Sequence, residues 1–572
     1  MKKHLLSACL RAGMAFLILN STFSVSRVHA QQPTLAWAKA MGGTGSDCGN
    51  SIAVDAAGNI YTTGYFSDIA DFDPGAGTFD LSSVGGDDIF ISKLDADGKF
   101  VWAKAIGGTG DDKCRSIAFD ASGNVYTAGT FGGTVDFDPG AGTFNLTSIS
   151  GDDIFISKLD ADGKFVWAKA IGGTGDDIGR SIALDASGNV YTTGTFWGTV
   201  DFDAGAGTFN LTSSSSSYDI FISKLDAAGN FVWARAMGGT GDDNSNSIVL
   251  DASGNVYTTG NFEDTADFDP GAGTFTLTST SGSIDIFISK LDAAGNFVWA
   301  KSIGSNSSDG GLSIAIDANG NIYTTGSFQY KADFDPGAGT FNLTSTGNYD
   351  IFISKLDAAG NFVWAKAMGG ASDDFGKSIA YASGNVYTTG FFNGTTDFDP
   401  GAGTFNLTTI GGSDIFISKL DAAGNFVWAK AMGGTGGDFG SSIALHRSGN
   451  IYTTGFFNGT VDFDPGAGTS NLTSAGGSDI FVHKMGDLSI GIVENSSATA
   501  MAVYPNPAST AFIIEHATKQ KEDLTIYNIL GELVYKDNWL QGQTQKSIDM
   551  AALPQGIYII RIGDAVQKVV RE

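Results

Sequence analysis

The sequence predicts an all-β protein whose main part is a closed set of seven repeats. Seven tryptophans are spaced by 65, 65, 66, 66, 65 and 64 residues. They are Trp37, Trp102, Trp167, Trp233, Trp299, Trp364 and Trp428. Each repeat holds the same short segments, rich in β-branched and aromatic residues and bounded by Gly, Asn and Asp, which is typical of strands. The 80 glycines among 572 residues fit many short strands joined by turns. This pattern predicts a seven-bladed β-propeller.

Each repeat contains four predicted strands in a fixed order. The segments are SIAxD, NVYTTG, DIFISKLD and FVWAKA, with a long stretch around DFDP between the second and the third. DASGN and DAAGN connect strands as tight hairpins. Because consecutive antiparallel strands place their loops at opposite ends, the longer loops GGTGDD and DFDPGAGTFNLTS share one face. We expect binding residues on this long-loop face.

The two ends of the repeat region predict how the ring closes. Leu35–Ala40 has the sequence of a fourth strand and no third strand before it. Asp479–Lys484 has the sequence of a third strand and no fourth strand after it. Pairing the two would complete the last blade and remove two open sheet edges, so we expect the N-terminal strand to close the propeller.

The remaining segments predict a secreted protein with four parts. Residues 1–30 combine early positive charges, an apolar core and a cleavage site near Ala30, as in a signal peptide. Residues 31–487 form the propeller, and residues 488–500 form a linker. Residues 501–572 contain the alternating segments LTIYNI and IYIIRI and predict a small β-sandwich. No later segment approaches the roughly 18 apolar residues of a membrane helix, so we expect no transmembrane segment.

Charge and cysteine content narrow the classes of partner. The formal net charge of −28 repels polyanions, so we expect no nucleic-acid binding and a soluble, monomeric protein. Cys48 and Cys114 lie in equivalent loops of neighbouring repeats, offset by one position. A disulfide is permitted outside the cell but requires a narrow Cα separation, and the sequence leaves this pairing open.

Two repeated sets of aspartates are candidate calcium ligands. The loop aspartates stand four residues before the Ser of SIA: Asp47, Asp112, Asp177, Asp243, Asp309, Asp374 and Asp438. The DxD aspartates open the DFDP stretch: Asp71, Asp73, Asp136, Asp138, Asp201, Asp203, Asp267, Asp269, Asp333, Asp335, Asp397, Asp399, Asp462 and Asp464. Calcium binds six to eight oxygens, and such a face offers carboxylates and carbonyls. The competing interpretation is that the carboxylates only hold turns, and calcium remains one possible cofactor.

Catalytic motifs are missing from the sequence, which favours a non-enzymatic binding protein. It contains no GxSxG, HExxH or CxxC. His446 replaces a hairpin Asp and His483 a strand Ser, neither with a patterned carboxylate partner. The repeated tryptophans are interpreted as packing residues of the outer strands. The alternative is an enzyme, either a glycan-acting or a quinone-dependent propeller.

The repeats GGTGDD, SIALDASGNVYTTG, DFDPGAGTFNLTS and DIFISKLDAAGNFVWAKA resemble a bacterial family of β-propeller repeats called SBBP, in the form common in secreted Bacteroidetes proteins. The resemblance covers about residues 35 to 485. It implies the propeller fold and a display or interaction scaffold, whose glycan or protein ligand the sequence does not identify.

The tail resembles the C-terminal sorting domain of the type IX secretion system. The resemblance rests on the segments VYPNP, IYNILGE and LPQGIY. The matching positions are Pro505, Asn506, Pro507, Gly531, Leu553, Pro554, Gly556 and Tyr558. It implies recognition by the type IX secretion machinery and display at the outer-membrane surface.

Overall fold

The structure is a computed structural model that describes residues 33–214, 217–486, 502–504, 508, 511–516, 521–528, 533–551, 553–562 and 565–571. The chain divides into two compact units, Met1–Asp487 and Leu488–Glu572. The predicted signal peptide and the predicted linker lie outside the described residues. No helix in the described part of the chain is long and apolar enough to cross a membrane.

Apart from one 3₁₀ turn at Thr280–Gly282, the regular structure described is all β. The strands of the first half of the repeat region are β1 (Thr34–Gly43), β2 (Cys48–Val54), β3 (Ile60–Phe66), β4 (Ile69–Asp71), β5 (Asp80–Ser82), β6 (Asp88–Leu94), β7 (Phe100–Gly108), β8 (Lys113–Phe119), β9 (Val125–Asp136), β10 (Asn145–Leu159), β11 (Phe165–Gly173), β12 (Ile178–Leu184), β13 (Val190–Trp197), β14 (Thr199–Asp201), β15 (Asn210–Thr212), β16 (Tyr218–Leu225), β17 (Phe231–Gly239) and β18 (Asn244–Leu250). Those of the second half are β19 (Val256–Glu263), β20 (Thr265–Asp267), β21 (Thr276–Thr278), β22 (Ile284–Leu291), β23 (Phe297–Ile303), β24 (Gly310–Ile316), β25 (Ile322–Asp333), β26 (Asn342–Leu356), β27 (Phe362–Gly370), β28 (Phe375–Ala382), β29 (Asn385–Phe392), β30 (Thr395–Asp397), β31 (Asn406–Thr408), β32 (Asp414–Asp421), β33 (Phe426–Gly434), β34 (Phe439–Leu445), β35 (Asn450–Asp462) and β36 (Asn471–Gly486).

These strands pair into four-stranded antiparallel units that follow the order of the repeated segments. In the first unit β2 pairs with β3, β3 with β6 and β6 with β7. The next five units are β8-β9-β10-β11, β12-β13-β16-β17, β18-β19-β22-β23, β24-β25-β26-β27 and β28-β29-β32-β33. The seventh unit is β34-β35-β36-β1, so the N-terminal strand supplies its fourth strand.

The DFDP stretch joins each unit to the one before it. In the first unit β4 and β5 form a short hairpin, and β4 also pairs with the end of β1 through Gly42↔Asp71 and Gly43↔Ala70. Phe72 between the two aspartates is fully buried and contacts Phe66 and Phe90, with ring centroids 5.4 and 5.0 Å away. The stretch therefore buries an aromatic anchor at the seam between two units.

A cyclic set of hydrogen bonds connects the innermost strands. The Ser of each SIA segment accepts a hydrogen bond from the backbone N–H of the Ile in the next unit, at 3.2–3.3 Å. The Ser–Ile pairs are Ser51–Ile117, Ser116–Ile182, Ser181–Ile248, Ser247–Ile314, Ser313–Ile379, Ser378–Ile443 and Ser442–Ile52. Because the last pair returns to the first unit, the seven bonds form a closed cycle, here called the serine ring.

The C-terminal compact unit, Leu488–Glu572, consists of two small sheets. Its strands are β37 (Ala502–Tyr504), β38 (Ala511–Glu515), β39 (Glu522–Asn528), β40 (Leu533–Trp539), β41 (Gln545–Asp549), β42 (Gly556–Ile562) and β43 (Ala565–Arg571). One sheet has the order β37-β38-β41 and the other β40-β39-β42-β43. Their side chains share one apolar core that includes Phe512, Leu524, Trp539 and Ile560.

The serine ring predicts the effect of removing one hydroxyl. Ser116→Ala leaves the N–H of Ile182 without its acceptor, 3.2 Å away. We expect the free energy of unfolding of the full chain to fall by about 1 kcal/mol, measured by urea unfolding. Ser122→Ala, in an exposed hairpin, is the matched control and should change stability by less than about 0.5 kcal/mol. Equal stability of the two variants would contradict a structural role for the ring.

Candidate functional site

One position of the inner strands varies among the repeats and lines a cavity. It directly precedes the serine of the ring and is occupied by Asn50, Arg115, Arg180, Asn246, Leu312, Lys377 and Ser441. All seven line a cavity of about 530 Å³, which Phe391, Phe439 and Phe456 also border. The strands bring the position to the cavity because it lies beside the serine ring, at the innermost edge of each unit. Sequence analysis missed this set, although its variation amid repeated neighbours was visible.

Three cations in this cavity lack a carboxylate partner. Among the described residues, Arg115, Arg180 and Lys377 form no ion pair within 4.0 Å. Burial, with a smaller contribution from repulsion by Arg115, lowers the pKa of Arg180 to about 10. Burial also lowers the pKa of Arg115 and of Lys377. The cavity therefore holds unneutralised positive charge inside a chain of net charge −28.

An aromatic cluster forms another part of the cavity wall. Phe391 lies 4.6 Å from Phe439 and 5.0 Å from Phe375, measured between ring centroids. Phe439 lies 4.8 Å from Phe456. The Lys377 ammonium lies over the rings of Phe375 and Phe391 at 5.4 and 5.6 Å. These rings belong to the last two units, so the wall is asymmetric although the fold repeats.

The loop aspartates are buried and bind backbone N–H groups. Asp47 accepts hydrogen bonds from the N–H of Gly43 at 2.8 Å and of Ser67 at 3.1 Å. The other loop aspartates, Asp112, Asp177, Asp243, Asp309, Asp374 and Asp438, likewise accept backbone N–H groups and are at most 1% exposed. They hold the turn that follows each Gly-Gly pair.

A second buried carboxyl faces each loop aspartate. These strand aspartates begin the DIFISKLD segments: Asp88, Asp153, Asp219, Asp285, Asp350, Asp414 and Asp479. A Cβ on Gly42 would lie 2.7 Å from Asp479 Oδ1 and 2.8 Å from Asp47 Oδ2, so both carboxyls crowd the same glycine. In six of them, all but Asp285, Oδ1 is buried without a hydrogen-bond partner. The sequence analysis did not single out this set, because burial cannot be seen in a repeated segment.

The DxD aspartates organise their own hairpin. Asp71 Oδ1 accepts the N–H of Asp73 at 2.9 Å and of Phe79 at 2.8 Å, and Asp73 Oδ1 accepts the N–H of Gly75 at 2.8 Å. The same bonds recur in the other six units. In the described part of the chain, no three His, Cys, Asp or Glu side chains cluster as metal ligands. Calcium binding stays a prediction.

The remaining singled-out side chains pack inside the units or hold a turn. His483 is fully buried, and burial lowers its pKa to about 3. His446 lies in a hairpin turn, where Nδ1 is 2.7 Å from Ser448 Oγ. Cys48 and Cys114 are buried and unpaired. Trp102 packs edge-on against Tyr61, with ring centroids 6.3 Å apart.

Four of the predicted sorting-motif positions fall in the described residues. The Tyr558 hydroxyl donates a hydrogen bond to the Pro554 carbonyl at 2.6 Å, and Tyr558 is 3% exposed. Leu553 packs against the core of the C-terminal compact unit, and Gly556 begins β42. Pro505, Asn506, Pro507 and Gly531 lie outside the described residues.

Comparison with known families assigns both parts of the chain. The model of the β-propeller repeat family matches residues 37–72, 101–130 and 166–199. The model of the secretion system C-terminal sorting domain matches residues 502–572. The chain carries SBBP-type β-propeller repeats followed by a type IX sorting domain. A tail of this kind indicates secretion and attachment at the cell surface.

Individual relatives are more distant. An uncharacterised WD repeat-containing protein of Acanthamoeba polyphaga mimivirus is 25% identical over 507 residues, which covers 74% of this chain and 36% of the relative. The regulatory protein FlaEY of Caulobacter vibrioides is 28% identical over 144 residues, 25% of this chain and 15% of the relative. The chain thus spans well under half the length of either protein.

Two solved structures align with most of the chain. Sqt1 from Chaetomium thermophilum aligns with a TM-score of 0.33 at 10% identity. The alignment covers 78% of this chain and 86% of the Sqt1 chain. The dihydro-heme d1 dehydrogenase NirN aligns with a TM-score of 0.27 at 10% identity. The alignment covers 70% of this chain and 73% of the NirN chain.

The buried carboxyl pairs predict a stability that falls as pH rises. Burial, with a smaller contribution from repulsion by the facing carboxyl, raises the pKa of Asp88 to about 7 and of Asp243 to about 8. Their unfolded pKa is near 3.8, so the folded state holds more protons between about pH 4 and pH 8. The melting temperature in EDTA should therefore be higher at pH 5 than at pH 8.

Asp88→Asn tests this pair directly. The substitution removes a carboxylate whose ionisation opposes folding, so at pH 8 it should raise the free energy of unfolding by on the order of 2 kcal/mol. At pH 5 the gain should largely vanish. Asp97→Asn, with a side chain 76% exposed, is the control and should be neutral at both values. A melting temperature of the native protein that rises from pH 5 to pH 8 would overturn the assignment.

Proposed function

We propose that the protein is a secreted, surface-displayed, seven-bladed β-propeller that acts as a non-enzymatic binding scaffold. Its seven four-stranded units would be the blades, with β1 closing the last one. The C-terminal unit would be a β-sandwich that the type IX secretion machinery recognises after a signal peptide is cleaved near Ala30. The protein would act as a monomer with a glycan or protein as its ligand.

One observation carries the binding half of this proposal: the position that lines the cavity holds five residue types in seven units. The repeated aspartates, glycines, serines and tryptophans all serve packing or backbone hydrogen bonds in the described residues. At the position before the ring serine, Asn50 and Asn246 donate to backbone carbonyls of the next unit at 2.8 and 2.9 Å. The other units place different side chains there, and all seven line the cavity. Binding sites commonly combine an apolar wall with a few convergent polar groups, as this cavity does.

The chemistry of the lining supports binding rather than catalysis. The cavity is bordered by arginine, lysine, asparagine, serine, glycine, leucine and phenylalanine. Within the described residues, its lining includes no carboxylate, histidine or thiol to act as general base or nucleophile. A glycan-acting or quinone-dependent enzyme is the alternative, and no specific contact favours it.

Deleting residues 501–572 tests the export half of the proposal. Because the sorting domain forms its own compact unit, the repeat region should keep its melting temperature when the tail is removed. In a bacterium with type IX secretion, the truncated protein should remain in the periplasm, measured by protease accessibility on intact cells.

Full surface display of the truncated protein would contradict the export role. Turnover of any member of a glycan panel by the purified full chain would contradict the non-enzymatic role. The full-length protein, displayed and protease-accessible in the same strain, is the matched control.

A further inference from the structure

The two arginines of the cavity are neighbours without counter-ions. They occupy the same position in adjacent units, and the positive charge of Arg115 contributes to the lowered pKa of Arg180. The buried Nε atoms of Arg115 and Arg180 have no hydrogen-bond partner. Arg180 Nη2 reaches Asn244 Oδ1 at 3.5 Å, a weak contact with a neutral group. The charge of Asp152 raises the pKa of Arg115, but among the ion pairs of the described residues none joins the two side chains.

Buried donors of this kind are normally satisfied, so their lack of a partner points to a ligand. An unpaired guanidinium that loses water costs free energy unless an acceptor replaces the water. Guanidinium groups bind carboxylates and phosphates through two parallel hydrogen bonds. An oxyanion between Arg115 and Arg180 would remove their mutual repulsion and fill the Nε donors.

The aromatic wall specifies the rest of the ligand. Phe391, Phe439 and Phe456 belong to the sixth and seventh units, whereas Arg115 and Arg180 belong to the second and third. All five line one cavity of about 530 Å³, large enough for a small organic molecule. Flat apolar rings pack favourably on phenylalanine faces and edges. Large polyanions are disfavoured, because the chain as a whole carries a net charge of −28.

We infer that the cavity binds a small organic oxyanion with an apolar ring, the negative group between Arg115 and Arg180 and the ring on the phenylalanine cluster. This inference rests on the proposed binding function and, for this cavity, replaces the glycan or protein ligand with a small molecule. Lys377, opposite the arginines in the ring of units, adds positive charge beside the phenylalanine rings.

Calorimetric titration of the full chain with phenyl phosphate tests the site. Inorganic phosphate and benzyl alcohol serve as the two halves of the probe. We expect phenyl phosphate to bind more tightly than either half. Replacing both arginines, as Arg115→Gln with Arg180→Gln, should weaken phenyl phosphate binding about ten-fold or more. Arg235→Gln with Lys301→Gln, on outer strands, removes equal charge elsewhere and should leave affinity within about two-fold.

A separate readout excludes misfolding as the cause of lost binding. The double arginine variant relieves repulsion between buried cations, so its melting temperature should equal or exceed that of the native protein. Unchanged affinity for phenyl phosphate in this variant overturns the inference. The inference also fails if the native protein binds phenyl phosphate no more tightly than inorganic phosphate. It fails as well if no binding of phenyl phosphate is detected at about 5 mM. Release of phosphate from phenyl phosphate would overturn the non-enzymatic proposal, while an affinity loss in the variant would still support the anion site.

Discussion

The closed cycle of Ser–Ile hydrogen bonds is the constraint on which the repeat region depends. It needs a seventh unit complete enough to place Ser442 beside Ile52, 3.3 Å away. That unit is complete because β1 pairs with β36 along Thr34–Met41. A chain that left β36 unpaired would expose a sheet edge beside the first unit. Two strands that are more than 400 residues apart in sequence, β1 and β36, therefore pair in one four-stranded unit.

Closure explains why so much of the sequence repeats. Gly42 repeats because its Cα lies against two buried carboxyls, and a side chain would collide with Asp479 at 2.6 Å. Phe72 repeats because it packs in a core cluster that joins the first unit to Met41 of β1 and Ile480 of β36. These positions serve the fold, so they carry no information about a ligand. The position before the ring serine is not restricted to one residue type, and Arg115 and Arg180 differ there from Leu312 and Ser441.

Sequence patterns predicted the strands and hairpins well, because alternation and Gly-Asn turns are local signals. The turn role of Asp71 and Asp73 was likewise one of the two interpretations that the sequence allowed. The cavity could not be predicted, because alternate residues of each innermost strand point to opposite faces. Which face lines the cavity is decided only when the units are arranged in a ring. The partner of each loop aspartate was hidden too, because the sequence does not show that the strand aspartates are buried. Asp47 also meets its partner, Asp479, from the opposite end of the repeats.

Disulfide trapping tests ring closure most directly. Ala38 in β1 and His483 in β36 are paired residues, so cysteines at both positions would lie within the Cα range that a disulfide requires. Under mild oxidation, the full chain with Ala38→Cys and His483→Cys should form an intramolecular disulfide, identified by peptide mapping. The control with Ala38→Cys and Ser122→Cys should keep both thiols free. Disulfide-linked dimers, or free thiols in the first variant, would contradict closure by the N-terminal strand.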